Sequence, residues 1–193
     1  ANCISMALTP MVLTARLIKQ REPEAKIVFV GPCAAKKLEA SRRSVRSHVD
    51  FVLTFEEVAG MFDAKGIDFS AIPEEEPLFR ASSDGRGFAA SGGVAAAVVK
   101  AIKRLEPSRE EKILSGDRLA NCKKMLQLAK AGKYNGYLLE GMACPGGCIA
   151  GAGTIQDPKK TAVALQKMMK EAAFEESVDT KYQERLEKLE AFN

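Results

Sequence analysis

The chain has 193 residues, 46% of them hydrophobic, so it can bury a core as one domain or as two small lobes. Its 29 basic and 25 acidic residues give a net charge of +4, without the basic stripe and interleaved aromatic side chains of a nucleic-acid surface. No apolar run approaches the roughly 20 residues that span a bilayer, and the N-terminus has no signal-peptide pattern. Nucleic acid and membrane are therefore excluded as partners, and we expect a soluble, cytoplasmic protein.

The first predicted element is a helix over residues 7–20. Thr9 is a suitable N-cap for it, because Pro10 would then occupy the first helical turn, where proline is favoured. Apolar residues at helical spacing form one face of this helix: Met11, Ala15 and Ile18.

Short β-branched and aromatic runs predict four strands, at 26–30, 51–54, 112–116 and 134–140. An amphipathic helical stretch follows the second strand. A helix capped by Asp117 and continuing to Lys130 follows the third. A small-residue helix over 92–105 would begin at Ser91. Strands that alternate with flanking helices predict an α/β fold with parallel strand pairing.

The chain has one long stretch with little periodicity, residues 66–87, which is rich in Pro, Glu, Ser and Gly. We interpret it as a surface excursion. It would join two lobes, roughly 1–65 and 88–193, within one domain. A charged helix over 180–192, with charges at i to i+4 spacing, would close the chain as a surface or docking helix.

The five cysteines are Cys3, Cys33, Cys122, Cys144 and Cys148. In a reducing compartment, thiols at Gly-rich turns are more often metal ligands or nucleophiles than disulfide partners. Cys33 follows the first predicted strand, and Cys144 and Cys148 follow the fourth. Ligands of α/β proteins gather at such carboxyl ends of strands. The positions therefore predict that these three thiols share one cluster.

The sequence around the last two cysteines, EGMACPGGCIAGAG over 140–153, holds several glycines. Clustered glycines indicate that the backbone passes close to something bulky. Zinc sites commonly use CxxC pairs, which this spacing does not match, whereas iron–sulfur clusters need thiolates, close backbone approach and N–H donors. The pattern favours an iron–sulfur cluster over zinc, and buried free cysteines at packed turns stay open as the structural alternative.

Two stretches resemble signature motifs of the iron-iron hydrogenases: VGPCAAKKLEA over 30–40 and EGMACPGGCIAGAG over 140–153. Three more are similar in the family's order, namely DFVLTFEEVAGMF, FAASGGVAAAV and KILSGDRLANCKKML. The resemblance thus covers essentially the whole chain. It implies the fold of the iron-only hydrogenase large subunit, with this chain as the C-terminal portion of the domain that holds the cluster.

In that family four cysteines hold a 4Fe-4S cluster, and one of them bridges to a two-iron subsite with carbon monoxide and cyanide ligands. The resemblance implies that Cys33, Cys144 and Cys148 are three of these ligands, with Cys148 as the bridge. Their sulfurs should then lie within roughly 7 Å of one another. Lys36 matches the lysine that contacts a cyanide, and its alternative is a solvated lysine beside Lys37. Cys148 and Lys36 would be the catalytic residues.

Further residues match the family near the two-iron subsite or within its motifs: Phe88, Ser91, Gly92, Gly93 and Met142. For those at 88 and 91–93 the alternative is a glycine-rich helix start beside a core phenylalanine. We expect Glu39 to pair with a lysine or to cap a loop rather than to ligate iron. We interpret His48 as a solvated loop residue and Cys122 as structural.

The resemblance implies a ferredoxin-type hydrogenase that oxidises dihydrogen or reduces protons, with an upstream ferredoxin-like domain or a ferredoxin as electron partner. The family's first motif, TSCCPxW, is missing from this sequence, and Cys3 falls beyond its expected place. We therefore expect a fragment that is inactive alone. Gly31, Met11 and Thr154 replace residues of the catalytic members, a pattern that resembles sensory hydrogenases.

An alternative class is a hydrogenase-like iron–sulfur protein without hydrogenase activity, of the iron–sulfur assembly or lamin-binding type. Such relatives keep the cluster cysteines and lose much of the surroundings of the two-iron subsite. The presence of Lys36 and of the intact MACPGGC sequence favours the hydrogenase.

Overall fold

The computed structural model describes residues 3–73 and 81–179, which divide into two compact units. Unit 1 comprises the described residues up to 69 together with 153–155, and unit 2 comprises the other described residues. The lobes expected at 1–65 and 88–193 remain a prediction about domain organisation. Within the described ranges, no helix is long and apolar enough to cross a membrane.

Unit 1 alternates helices and strands. Its elements are α1 (Pro10–Arg21), β1 (Val28–Gly31), α2 (Ala35–Ser41), β2 (Phe51–Thr54) and α3 (Phe55–Ala64). The two strands pair in parallel, from Val28 opposite Phe51 to Gly31 opposite Thr54. Parallel pairing of strands joined through a helix is the predicted α/β arrangement.

Helix α1 begins at Pro10, three residues after the start of the predicted range 7–20, and it has the expected N-cap, Thr9, and the expected proline in its first turn. Met11 and Ala15 of the predicted face are buried, and Val12 is buried with them. Ile18, which lies on the same predicted face, is 37% exposed. The buried face therefore lies toward Val12 rather than along the full Met11–Ile18 line.

The turn from β2 into α3 is a capping box. The Glu57 amide donates to the Thr54 hydroxyl at 3.2 Å, and the Thr54 amide donates to the Glu57 carboxylate at 2.8 Å. Two helix-terminal donors are satisfied in this way. The strand can therefore pass directly into the helix without a loop.

Unit 2 has the same alternation. Its elements are α4 (Ser83–Gly87), α5 (Gly93–Leu105), β3 (Lys112–Asp117), α6 (Leu119–Lys130), β4 (Tyr137–Met142) and α7 (Pro158–Lys170). Strands β3 and β4 pair in parallel, from Lys112 opposite Tyr137 to Asp117 opposite Met142. Ala95, Ala97 and Met125 are buried between these elements. The predicted α/β class with parallel strands is confirmed.

Two predicted helix starts are wrong by one residue or more. Helix α5 begins at Gly93, and its N-cap is Gly92 with φ 88° rather than Ser91. Helix α6 begins at Leu119, and its N-cap is Arg118 with φ 64° rather than Asp117. The Asp117 carboxylate instead accepts a hydrogen bond from the amide of Gly146. An acceptor used in that way does not cap the helix.

The excursion expected over 66–87 is also partly wrong, because its end forms α4. Asp84 in this helix is only 7% exposed and binds Lys100 at 2.8 Å, so the helix is anchored by a largely buried carboxylate. The helix expected over 180–192 lies outside the described residues.

Candidate functional site

The candidate site begins at the carboxyl end of β4 with the segment 144–148, which we call the cysteine loop. Gly146 and Gly147 both have positive φ angles, 79° and 106°. These values are accessible to glycine and strained for other residues, so the path of the backbone requires the two glycines of the CPGGC sequence. The amide of Gly147 closes the loop on the carbonyl of Cys144 at 3.1 Å.

The cysteine loop packs directly against the backbone that precedes α5. A Cβ atom at Gly147 would lie 2.5 Å from the amide nitrogen of Ser91 and 2.8 Å from the carbonyl oxygen of Ala89. The Ser91 amide donates to the Gly146 carbonyl at 3.0 Å, and the Ile149 amide donates to the Ala89 carbonyl at 3.1 Å. The glycines predicted to allow close approach do so, and the group approached here is the protein's own backbone.

The thiols of the loop differ in exposure. Cys144 is half-buried and Cys148 is exposed, at the start of a single 3₁₀ turn. None of the five cysteines forms a disulfide in the described residues. The loop therefore offers two thiols as soft ligands at the end of a parallel strand.

In unit 1, Cys33 lies between β1 and α2 and is half-buried. Lys36 follows it in the first turn of α2, and its ammonium lies 2.5 Å from the Glu39 carboxylate. The Thr9 hydroxyl donates to the other oxygen of that carboxylate. The expectation that Glu39 pairs with a lysine is thus confirmed. The lysine is partly buried and paired rather than fully solvated.

The environment of Glu39 changes its acidity. Partial burial alone raises the pKa of its carboxyl group. The hydrogen bonds from Lys36 and Thr9, together with the charge of Lys36, outweigh this burial and hold the pKa below its ordinary value of 4.5. The Glu39 carboxylate is therefore charged at neutral pH, and it holds the Lys36 ammonium in one position.

The remaining predicted residues lie in unit 2, around the start of α5 and the end of β4. Phe88 is half-buried just after α4. A Cβ atom at Gly93 would lie 1.9 Å from the carbonyl oxygen of Gly87, so a glycine is needed where α5 begins. The carbonyl of Met142 accepts a hydrogen bond from the Cys122 thiol at 3.4 Å. These contacts fit the structural alternative for the glycines, and a role toward the two-iron subsite stays a prediction.

The three predicted ligand cysteines are divided between the two units, with Cys33 in unit 1 and the other two in unit 2. Taken by itself, neither unit gathers three or more His, Cys, Asp or Glu side chains into a metal-binding group among its described residues. The expected convergence of Cys33, Cys144 and Cys148 therefore remains a prediction. His48 is exposed in a loop of unit 1, as expected.

Sequence reasoning missed the role of Asp117. An aspartate directly before a helical pattern is a common N-cap. The sequence alone therefore fits a helix cap as well as it fits a hydrogen bond to the cysteine loop. The signal that decides otherwise is the left-handed backbone of Arg118, which shifts the start of α6 by one residue. A non-glycine residue in this conformation is uncommon and cannot be read from the sequence.

Comparison with known proteins places this geometry in a family. Residues 1–152 match the family described as iron only hydrogenase large subunit, C-terminal domain. The chain is 30% identical over 166 residues to the NADP-reducing hydrogenase subunit HndD of Solidesulfovibrio fructosivorans, covering 68% of this chain and 28% of that protein. It is also 30% identical over 191 residues to a probable cytosolic Fe-S cluster assembly factor of Aedes aegypti, covering 74% of this chain and 39% of that protein.

The fold is similar to a solved [FeFe]-hydrogenase whose oxygen inactivation begins at the 2Fe subcluster of its H cluster. The TM-score is 0.66 at 19% sequence identity, with 96% of this chain and 64% of that chain covered. The chain spans well under half the length of the curated relatives it matches. By the family match over most of its length, the chain belongs to the family formed by the C-terminal domain of the iron-only hydrogenase large subunit.

Proposed function

We propose that this chain is part of an iron-iron hydrogenase and supplies Cys33, Cys144 and Cys148 to a 4Fe-4S cluster. The observation that carries the proposal is the cysteine loop, which offers two thiols across a left-handed glycine pair at the end of β4, within the residues that match the family. The reaction would be reversible dihydrogen oxidation and proton reduction.

The donor chemistry fits such a cluster. Thiolates are the ligands that iron–sulfur clusters take from proteins, and they bind iron in soft, thiol-rich sites. The cysteines of the loop are not consumed by disulfides. When bound, a cluster with a two-iron subsite supplies electron storage and the metal chemistry of hydrogen.

The chain's own residues would have separate roles at the two-iron subsite. Cys148 would hold the bridge to the two-iron subsite. Lys36 would donate a charge-assisted hydrogen bond to an anionic ligand of that subsite, because an ammonium group has three donors and Glu39 takes one. Glu39 would keep the lysine oriented.

Electron exchange requires a partner, for which we propose a ferredoxin or a ferredoxin-like domain of the same protein. The supporting fact is that the hydrogenase relative HndD is several times longer than the matched region, which covers 28% of it. Gly31, Met11 and Thr154 further support a sensory variant of the enzyme, in which turnover is slow and hydrogen is reported rather than consumed.

A second candidate is a role in iron–sulfur cluster assembly without hydrogenase activity. It is favoured by the 30% identity to the Aedes aegypti assembly factor over 74% of this chain. Both candidates require an iron–sulfur cluster at the cysteines. They differ in whether the two-iron subsite is present.

The ligand assignment can be tested by reconstitution with iron and sulfide. We expect iron binding by the wild-type chain, and its loss or weakening in Cys33→Ser, Cys144→Ser and Cys148→Ser. The matched controls are Cys3→Ser and Cys122→Ser, which should bind as much iron as the wild type. Iron content, sulfide content and electron paramagnetic resonance are the measurements. Equal iron in all five variants would contradict the assignment.

The two candidates are separated in the full-length protein, expressed with the enzymes that build the two-iron subsite. A hydrogenase should show infrared bands of iron-bound carbon monoxide and cyanide, and Cys148→Ser should remove them together with turnover. Lys36→Asn should lower occupancy of the subsite by about 10-fold to 100-fold, as losses of groups that support metal ligands commonly do. Lys37→Asn is the control, since Lys37 pairs with Glu57 instead. Iron without these bands would favour the assembly role.

A further inference from the structure

The centre of the cysteine loop is held by a side chain from a neighbouring strand. Asp117, the last residue of β3, accepts a hydrogen bond from the amide of Gly146 at 2.7 Å. Gly146 lies midway between Cys144 and Cys148. A carboxylate that accepts a backbone N–H makes a stronger hydrogen bond than a neutral acceptor does.

The peptide groups on both sides of Gly146 are fixed. Its N–H is held by Asp117, and its carbonyl accepts from the Ser91 amide at 3.0 Å. Gly146 would otherwise be the most adaptable point of the loop, because it is exposed and a Cβ atom there would meet nothing within 4 Å. The hydrogen bonds, rather than packing, therefore determine its orientation.

Ordinary helix capping does not account for the position of Asp117. Helix α6 has Arg118 as its N-cap and no side-chain cap hydrogen bond. Arg118 itself is 4.0 Å from the other carboxylate oxygen, at the limit of an ion pair and largely exposed. Of these two contacts of Asp117, the hydrogen bond to the cysteine loop is the short one, at 2.7 Å.

We propose that Asp117 is a positioning residue for the cysteine loop. Its carboxylate fixes the peptide of Gly146 and thereby holds the Cys144 and Cys148 thiols in one arrangement suited to a shared ligand. The identity of that ligand as an iron–sulfur cluster rests on the proposed function. The positioning of the loop by Asp117 does not depend on that function.

The same contact also has an electrostatic effect on a bound cluster. The Gly146 N–H is engaged by the carboxylate and cannot donate to a cluster sulfur, and the carboxylate adds a negative charge beside the loop. Hydrogen bonds to the sulfurs and the net charge both set the reduction potential of iron–sulfur clusters. Asp117 should therefore lower the potential of a cluster bound here.

The protection that Asp117 gives to the Gly146 amide can be measured in the metal-free chain by hydrogen exchange of single amides, followed by nuclear magnetic resonance. In Asp117→Ala the Gly146 amide should exchange about 10-fold to 100-fold faster than in the wild type, because a charge-assisted hydrogen bond is lost. Asp117→Asn keeps an acceptor oxygen without the charge, so it should restore most of the protection.

The matched control is Asp157→Ala. Asp157 also accepts backbone N–H groups, at 2.9 Å from Lys159 and 3.2 Å from Lys160, where it caps α7. This variant should speed exchange at the start of α7 and leave the Gly146 amide unchanged. Unchanged Gly146 exchange in Asp117→Ala, or equal acceleration of all amides in unit 2, would overturn the proposal.

The second readout is the potential of the cluster after reconstitution with iron and sulfide. The potential should rise in Asp117→Asn, and in Asp117→Ala iron should be held less tightly as well. An unchanged potential in Asp117→Asn would overturn the electrostatic effect. If the wild-type chain binds no iron, the proposed function fails, while the exchange of the Gly146 amide still decides whether Asp117 positions the loop.

Discussion

The amide of Gly153 donates a hydrogen bond of 2.7 Å to the carbonyl of Pro32, the residue before Cys33. The Gly153 carbonyl in turn accepts from the amide of Glu56 at 3.2 Å, in the first turn of α3. A segment far along the chain thus lies in unit 1, beside the end of β1. The space at this junction admits only a glycine, since a Cβ atom would lie 2.7 Å from the Thr54 Cβ.

Gly153→Ala should therefore destabilise the protein by about 1–3 kcal/mol, the usual cost of overpacking, because both Thr54 and the Pro32 carbonyl would have to move. The measurement is urea unfolding followed by circular dichroism. Gly60→Ala is the control, as Gly60 lies within α3 with nothing within 4 Å of its Cβ position. That change should stabilise by roughly 0.5–1 kcal/mol. Equal effects of the two changes would contradict the close packing.

Alanine at Gly147 should be more damaging than alanine at another left-handed glycine. Gly147 combines φ 106° with a backbone contact of 2.5 Å, whereas Gly136 has φ 79° and open space around its Cβ position. Gly136→Ala should cost about 1–3 kcal/mol from backbone strain alone. Gly147→Ala should exceed it, because the clash with Ser91 adds to the strain. Thermal unfolding of both variants checks the order, and a smaller loss for Gly147→Ala would contradict it.

Arg118 carries a Cβ atom in a left-handed conformation, with φ 64° and ψ 139°. Arg118→Gly should stabilise the protein by about 1 kcal/mol, because glycine adopts this conformation without the strain. Arg118→Ala is the matched control. It removes the same side chain but keeps the Cβ atom, so its unfolding free energy should stay close to the wild-type value. Stabilisation by alanine as large as that by glycine would point to the side chain instead of the backbone.

The Glu39 carboxylate should make stability depend on pH. Its folded pKa lies below its ordinary value of 4.5, so its pairing stabilises the fold above about pH 4.5, and this stability is lost as the pH falls through the folded pKa. Glu39→Gln should therefore differ most from the wild type near neutral pH and converge with it in acid. Urea midpoints from pH 7 to pH 3 provide the measurement.

Two further variants divide the stabilisation of Glu39 between its partners. The hydrogen bond from Lys36 lowers the pKa more than the one from Thr9 does. Lys36→Gln should thus remove more of the pH dependence than Thr9→Val. The reverse order would show that the hydroxyl, rather than the ammonium, is the main partner.

The α/β class could be predicted, and the strands to within three residues at either end, because both depend on local apolar patterns. The run FVLT matches β2 residue for residue, and Thr9 with Pro10 marks the start of α1. Helix α2 was not predicted, since it spans seven residues, lacks a side-chain cap hydrogen bond and buries no residue. Its position depends on contacts with β2 that no local pattern encodes.

The sequence motifs that form the site could be predicted, but the contacts between the residues of the site could not. The glycines of the cysteine loop were identified by composition, yet the sequence did not indicate that Gly147 meets the backbone at Ser91. Asp117 was assigned to the nearest helix, because side-chain partners far apart in sequence cannot be ranked from one chain alone. A carboxylate can cap a helix or accept a hydrogen bond from a distant amide, and for Asp117 the tertiary hydrogen bond to Gly146 determines the role.

The thiol of Cys122 lies between the carbonyls of Gly116 and Met142, at 3.5 Å and 3.4 Å, where β3 and β4 end. This location gives the protein its own reference for covalent labelling. Cys3 is exposed and reports the reactivity of a solvent-accessible thiol, whereas Cys122 is half-buried and donates to two carbonyls, so it should react more slowly with a bulky maleimide. Labelling rates of Cys144 and Cys148 can then be compared with those of one exposed and one half-buried, hydrogen-bonded thiol of the same chain.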